Sequence, residues 1–142
     1  MSISSIPKSL RRRILERDGG QCQYCHLKQY GQGAVFHINH IVPRSGGGLT
    51  QESNLALQCP YCSLRKSDRV DANDPATGRK ARLLHPIEQV WAEHVSLQPD
   101  GVCRGLTDTG RATVEALRMN DSLPLMARAM QIQMGILTAL SS

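Results

Sequence analysis

Two Cys-x-x-Cys pairs, Cys22-Gln-Tyr-Cys25 and Cys59-Pro-Tyr-Cys62, constrain this chain more than anything else in it. A pair at that spacing folds into a tight turn with both sulfurs pointing inward, and four thiolates suit tetrahedral Zn²⁺. About thirty residues separate the pairs, more than in small zinc ribbons. That gap leaves room for two strands and a loop. The alternative is four reduced, buried cysteines. His26 directly follows Cys25, but with four thiolates at hand it reads as a surface residue. A metal staple also answers a weakness in composition: the 142 residues include one Trp, one Phe and three Tyr. A core so poor in rings buries little area per residue.

Met1 to Ser5 is short and polar, without the apolar run of a secretory signal, and no stretch approaches a membrane span. A reducing, cytoplasmic setting follows, where paired cysteines bind zinc more often than they form disulfides. The fifth cysteine, Cys103, reads as a small buried residue. A formal charge of +5 favours a polyanionic partner.

Taken in order, Ile6 to Asp18 predicts a helix with Leu10, Ile14 and Leu15 as its apolar stripe and Gly19-Gly20 as its stop. Gly33 to Ile41 is β-branched and apolar around His37 and His40, and predicts a strand. Pro43 and Ser45-Gly46-Gly47-Gly48 turn the chain. Asn54 to Gln58 is a second short strand, and Pro60 to about Val70 a short helix carrying Arg65, Lys66 and Arg69. The order is strand, loop, strand, helix, with a cysteine knuckle at each margin. Beyond it, Asp71 to Arg82 reads as a wrapping loop and Pro86 to Glu93 as a short helix anchored by Trp91. His94–Leu97 and Val102–Gly105 read as a hairpin. A helix capped by Thr107 or Asp108 runs to about Met119, and a last helix covers Leu123 to Leu140. The apolar face of that last helix, with Leu125, Met126, Ala129, Met130, Ile132, Ile136 and Leu137, is broader than a monomer of this size needs. It either folds back on the domain or pairs with a second copy.

His40, at a strand end beside a Gly-rich loop, is the candidate catalytic group. A neutral imidazole can take a proton from water. Phosphodiester cleavage needs such a base, and a cation to neutralise charge on the phosphate and leaving oxygen. Asn39 offers an amide oxygen and Ser63 a hydroxyl oxygen. Neither brings charge, so their hold on Mg²⁺ is weak. Read alone, His40 is more often a satisfied structural histidine.

The surrounding pattern shifts that balance. Asn39-His40-Ile41-Val42-Pro43, Gly46-Gly47, Asn54-Leu55 and Cys59-Pro-Tyr-Cys62-Ser63-Leu-Arg-Lys66 closely resemble the HNH nuclease family, with its ββα-metal fold. Downstream, Leu84-His85-Pro86, Trp91-Ala-Glu93-His94 and Gly105-Leu-Thr-x-x-Gly110-Arg-Ala-Thr resemble the C-terminal extension of one bacterial zinc-knuckle subfamily. The likeness covers residues 5–120. It implies an α+β fold. Residues 1–70 would form a zinc-stapled nuclease core with an N-terminal helix, and 71–142 a mainly helical extension packed on that core. It implies His40 as general base and Asn54 as the residue that braces the loop and helps orient that base. It puts the catalytic ion at Asn39 and Ser63, where the family pattern has an acid or His, then Asn or His. Losing the acid weakens attraction to a dication by roughly several kcal/mol before solvation offsets it. His37, two residues before Asn39, shares its strand face and is a further candidate ligand for a softer ion such as Mn²⁺ or Ni²⁺, in place of Mg²⁺.

The leading expectation is therefore a metal-dependent DNA endonuclease of low sequence specificity. Arg11, Arg12, Arg13, Arg44, Arg65, Lys66 and Arg69 would hold phosphates with little base readout. The alternatives are an HNH-like DNA-binding protein that has lost its catalytic ion, and a zinc-stapled interaction module acting through the last helix.

Overall fold

The structure, a computed structural model, describes residues 6–139. Helix α1 (Lys8–Asp18) begins after extended Pro7 and ends at Gly19, whose φ of 58° suits glycine and lets its N–H reach Leu15 O. Leu10, Ile14 and Asp18 are its buried residues, four apart. Leu15 is 46% exposed, so the inward stripe continues through an acid instead. The Asp18 carboxylate accepts from Leu57 N at 2.9 Å and from Arg17 Nε at 2.7 Å. Arg17 also donates to the Glu52 and Leu55 carbonyls. A charged acceptor of this kind contributes about 1.5–3 kcal/mol, and here it bolts α1 to the second strand.

Strands β1 (His37–His40) and β2 (Leu55–Gln58) pair antiparallel, with His37 opposite Gln58 and His40 opposite Leu55. β1 is shorter than the Gly33–Ile41 segment expected. Residues 31–34 turn and bend, with Gly31 and Gly33 at positive φ. Helix α2 (Pro60–Lys66) follows with Cys59 as its N-cap, and ends four residues before the expected Val70, with Ser67 at φ 51°. The result is ββα.

Beyond it the chain forms two more hairpins and three helices: β3 (Asp71–Asn73) with β4 (Lys80–Arg82), α3 (Trp91–His94), β5 (Val95–Leu97) with β6 (Cys103–Gly105), α4 (Asp108–Ala116) and α5 (Ser122–Gln133). The first hairpin corrects the expected loop over Asp71–Arg82. Asp74-Pro75 and Thr77-Gly78 are its turn, and the flanking residues are too polar to show a strand pattern. Asp74, fully buried, accepts from Arg111 Nε and Nη2 at 2.9 Å each, and from Ala76 N and Thr77 Oγ1. It thereby ties the β3–β4 turn to α4. The helix expected over Pro86–Glu93 is a single turn that begins only at Trp91. Thr107 caps α4, accepting from Gly110 N. A Cβ on Gly110 would stand 1.8 Å from His94 O, which explains the glycine there.

Helix α5 meets expectation only in part, since Leu125, Ala129, Ile132 and Ile136 are half-buried and Leu137 buried. It ends at Gln133, with Gly135 at φ 77° just beyond, and the Leu140 end of the expected helix lies outside the described residues. Its buried residues are Pro124, Arg128 and Gln131, while Leu123, Met126, Met130 and Met134 are exposed. The helix folds back on the domain by Pro124, Arg128 and Gln131, with Ala127 and Ile132 half-buried against the core.

Residues on both sides of position 70 share one hydrophobic cluster, from Leu10, Tyr24 and Leu57 to Trp91, Leu97 and Leu117. Burying a side chain of this size contributes about 1.5–3 kcal/mol.

The Arg111 guanidinium, first among several donors, holds the Asp74 carboxyl well below the usual carboxylate range. The unfolded chain therefore takes the proton first, and the stabilisation is lost as pH falls below that range. Asp74→Asn is expected to lower the urea midpoint at pH 7. The gap from the parent should narrow at about pH 3.

Candidate functional site

Cys22, Cys25, Cys59 and Cys62 converge, with their sulfurs all within 4.8 Å of one another and every one of the four buried. Each knuckle turns a backbone N–H onto its own first sulfur, Cys25 N to Cys22 Sγ at 3.5 Å and Cys62 N to Cys59 Sγ at 3.4 Å. Hydrogen bonds from Cys22, Cys59 and Cys62 pull the Cys25 thiol down, while Cys59 and Cys62 are pushed up. The quartet is a soft, tetrahedral-sized donor set and fits Zn²⁺. A second observation agrees. Tyr24 Oη, His26 Nδ1, Gln58 Nε2 and Arg128 Nη1 are buried without hydrogen-bond partners among the described residues. Three of these belong to the knuckles or adjoin them in sequence, and the fourth, the Arg128 guanidinium, has its charge supported by Cys103, Cys25 and Cys62. Metal-bound thiolates are hydrogen-bond acceptors, so an ion here makes such a setting less costly.

His26 is not a surface residue. It adopts φ 70° and stacks on Trp91, ring centroids 3.7 Å apart. Burial first of all pulls its pKa down to about 4, so it packs as a neutral ring. Trp91 Nε1 donates to Tyr24 O at 2.8 Å. Cys103 is buried behind Cys25.

His40 is half-buried at the end of β1, and its Nε2 lies 2.9 Å from Thr50 Oγ1. Burial, then Arg44 and Lys66, hold its pKa below the usual histidine range, so the ring is neutral at pH 7. The Asn54 side chain makes its hydrogen bonds elsewhere. Its Oδ1 accepts from Val42 N at 2.9 Å, and its Nδ2 donates to Val42 O at 3.0 Å and Leu49 O at 2.9 Å. Asn54 thus closes the 42–49 loop, and Thr50 holds the ring. A 3₁₀ turn over Arg44–Gly46 lies within this loop. Thr50 carries no sequence signal; its contact exists only once the loop is folded. Beside the loop opens a cleft of about 290 Å³, lined by Val42, Gly48, Leu49 and Asn54 and by Arg82, His85 and Glu88 from the extension.

The structure brings Asn39 and Ser63 together, with Asn39 Nδ2 donating to Ser63 Oγ at 2.7 Å. Both are half-buried. Each satisfies the other, neither is charged, and the amide presents its nitrogen to the pair. These residues do not fit a resident Mg²⁺ site. Among the described residues, the cysteine quartet is the only group of three or more His, Cys, Asp or Glu side chains placed to share an ion. His37 is exposed at the start of β1.

The expected phosphate contacts divide. Arg11, Arg12, Arg13, Arg44 and Arg69 are exposed, and Arg13 pairs with Glu52 at 3.1 Å. Arg65 is half-buried, 4.0 Å from Asp121. Lys66 is 2% exposed and donates from Nζ to Ile41 O at 2.7 Å, so as a phosphate contact it is corrected: the ammonium supports the strand end beneath His40. Burial pulls its pKa down to about 8.

This ββα unit and its cysteine knuckles coincide with a known family. Residues 22–69 match the family model described as HNH endonuclease. That stretch is similar to HNH endonuclease domains. No curated protein matches the chain. The HNH match covers both knuckles, β1, the loop, β2 and α2, and supports a nuclease-type hydrolase in general. No helix among the described residues is long and apolar enough to cross a membrane.

Metal analysis of protein purified without added metal is expected to find stoichiometric zinc, lost together with the cooperative thermal transition in Cys59→Ser. A Cβ on Gly48 would stand 1.8 Å from Val42 O and 2.8 Å from Asn54 Nδ2. Gly48→Ala is expected to cost about 1–3 kcal/mol of stability in urea titrations, through the forced loop shift.

Proposed function

We propose that the protein is a DNA endonuclease of low sequence specificity in which His40 takes the proton from the attacking water. The observation that carries this reading is the orientation of His40. When Nε2–H donates to Thr50 Oγ1, the Nδ1 lone pair is left to accept a proton, and a neutral ring at pH 7 is the form a base requires. Asn54 keeps the loop that carries Thr50 in register with β1. Exposed Arg11, Arg12, Arg44 and Arg69 supply cations for the phosphate backbone, and the double helix is the polyanion best matched to contacts that read charge and not bases.

The Asn39–Ser63 hydrogen bond favours a second reading, in which the same surface binds DNA and cleaves it feebly or not at all. Plasmid nicking separates the two. The parent is expected to nick in Mn²⁺ or Ni²⁺ at high concentration and poorly in Mg²⁺, and His40→Ala to lose at least about 100-fold in rate, the lower end of general-base contributions. Asn39→Asp with Ser63→Asn should raise the Mg²⁺-dependent rate. No nicking in any metal, with His40→Ala indistinguishable from the parent in both cleavage and gel shift, would leave DNA binding alone.

A further inference from the structure

Arg128 is the largest fully buried side chain among the described residues, at 0% exposure, in the middle of α5. Its Nε donates to Gly101 O at 2.9 Å, and its Nη2 to Met119 O at 2.6 Å and Asn120 Oδ1 at 3.4 Å. Nη1 is buried with no such partner. No carboxylate pairs with it among the described residues. A guanidinium is always charged, and burying one with no counter-ion is strongly unfavourable. Burial opposes its charge here, whereas Cys103, Cys25 and Cys62 support it. Asn120 Oδ1, which Nη2 reaches, also accepts from Cys103 N at 2.8 Å, and Cys103 Sγ lies 3.9 Å from Cys25 O in the first knuckle. Three positions further along, Gln131 Oε1 accepts from Lys28 N at 2.9 Å and its Nε2 donates to Lys28 O at 2.7 Å, just past the first knuckle. The buried side of α5 thus places a cation and an amide, beside Pro124, Ala127 and Ile132, near the first knuckle.

Four thiolates around Zn²⁺ leave a net charge of two negative in a buried place. We infer that Arg128 is a non-ligating member of the zinc centre, its buried guanidinium countering the charge of the four-thiolate site, so that metal loading and the docking of α5 are coupled. With the ion bound, the buried cation has its anion. With the ion gone and the thiols neutral, Arg128 is a buried charge without an anion, and α5 is held less firmly. The inference depends on zinc in the quartet and not on cleavage of DNA.

Competition for zinc against a chromophoric chelator tests it on the full chain, with hydrogen exchange followed over residues 122–133. Arg128→Met is expected to weaken zinc binding by about 10–100-fold, the range for outer-shell partners of a metal site. Arg128→Lys keeps the charge and should lose less. Gln131→Ala removes docking bonds but no charge, and should lose less than Arg128→Met. Stripping zinc from the parent should raise exchange in α5 more than in α4. Parent-like zinc affinity in Arg128→Met would overturn the inference, as would equal losses in Arg128→Met and Gln131→Ala. Should Arg128→Met not fold, the parent decides: exchange in α5 that rises no more than in α4 on stripping overturns it.

Discussion

Four sulfurs hold together two turns that the chain separates by more than thirty positions, and the chemistry hangs on that tie. The first knuckle is bonded to β2 by Gln23 N on Leu57 O, and the second opens α2 directly after β2. With so few rings in the chain, no large aromatic core could replace this clamp. Asp18 reinforces it from the other side by taking the amide of Leu57. β2 is therefore fixed at three points, and β1, which carries His40, takes its position from β2.

The loop between the strands is built by backbone capture more than by apolar contact. One asparagine side chain makes three hydrogen bonds to it, and Gly48 is present because no methyl group fits against Val42 O. Around His40 the field is positive, from Arg44 and from a lysine buried under the strand end. Burial first, and then this field, keep the imidazole neutral, and a positive field attracts anions. It also repels a dication, and the neutral pair Asn39 and Ser63 does nothing to offset that. The same electrostatics that suit a base and a polyanion disfavour a resident catalytic ion.

What could be read from the chain divides along a physical line. The cysteine pairs, the order strand, loop, strand, helix, the β5–β6 hairpin and the Thr107 cap rest on local spacing and turn chemistry, which the sequence carries directly. The fates of Lys66, His26 and Thr50 do not. A lysine in a basic run looks solvated until Ile41 O is found within its reach. A histidine after a knuckle looks exposed until Trp91, sixty-five positions on, covers it. Helix α5 misleads most, because periodicity assumes that the apolar side faces in. Its inward side carries a guanidinium and an amide among Pro124, Ala127 and Ile132, and Leu123, Met126 and Met130 remain in water.

Gln131 meets Lys28 across 103 positions of chain. Closing so long a loop is entropically slow, and contacts at that range are made late in folding. Synthesis runs in the same direction: both thiol knuckles leave the ribosome before α5 exists. The nascent knuckles must therefore hold their shape for a time without the segment that later covers them, and that interval is when they are most open to a chelator or an oxidant.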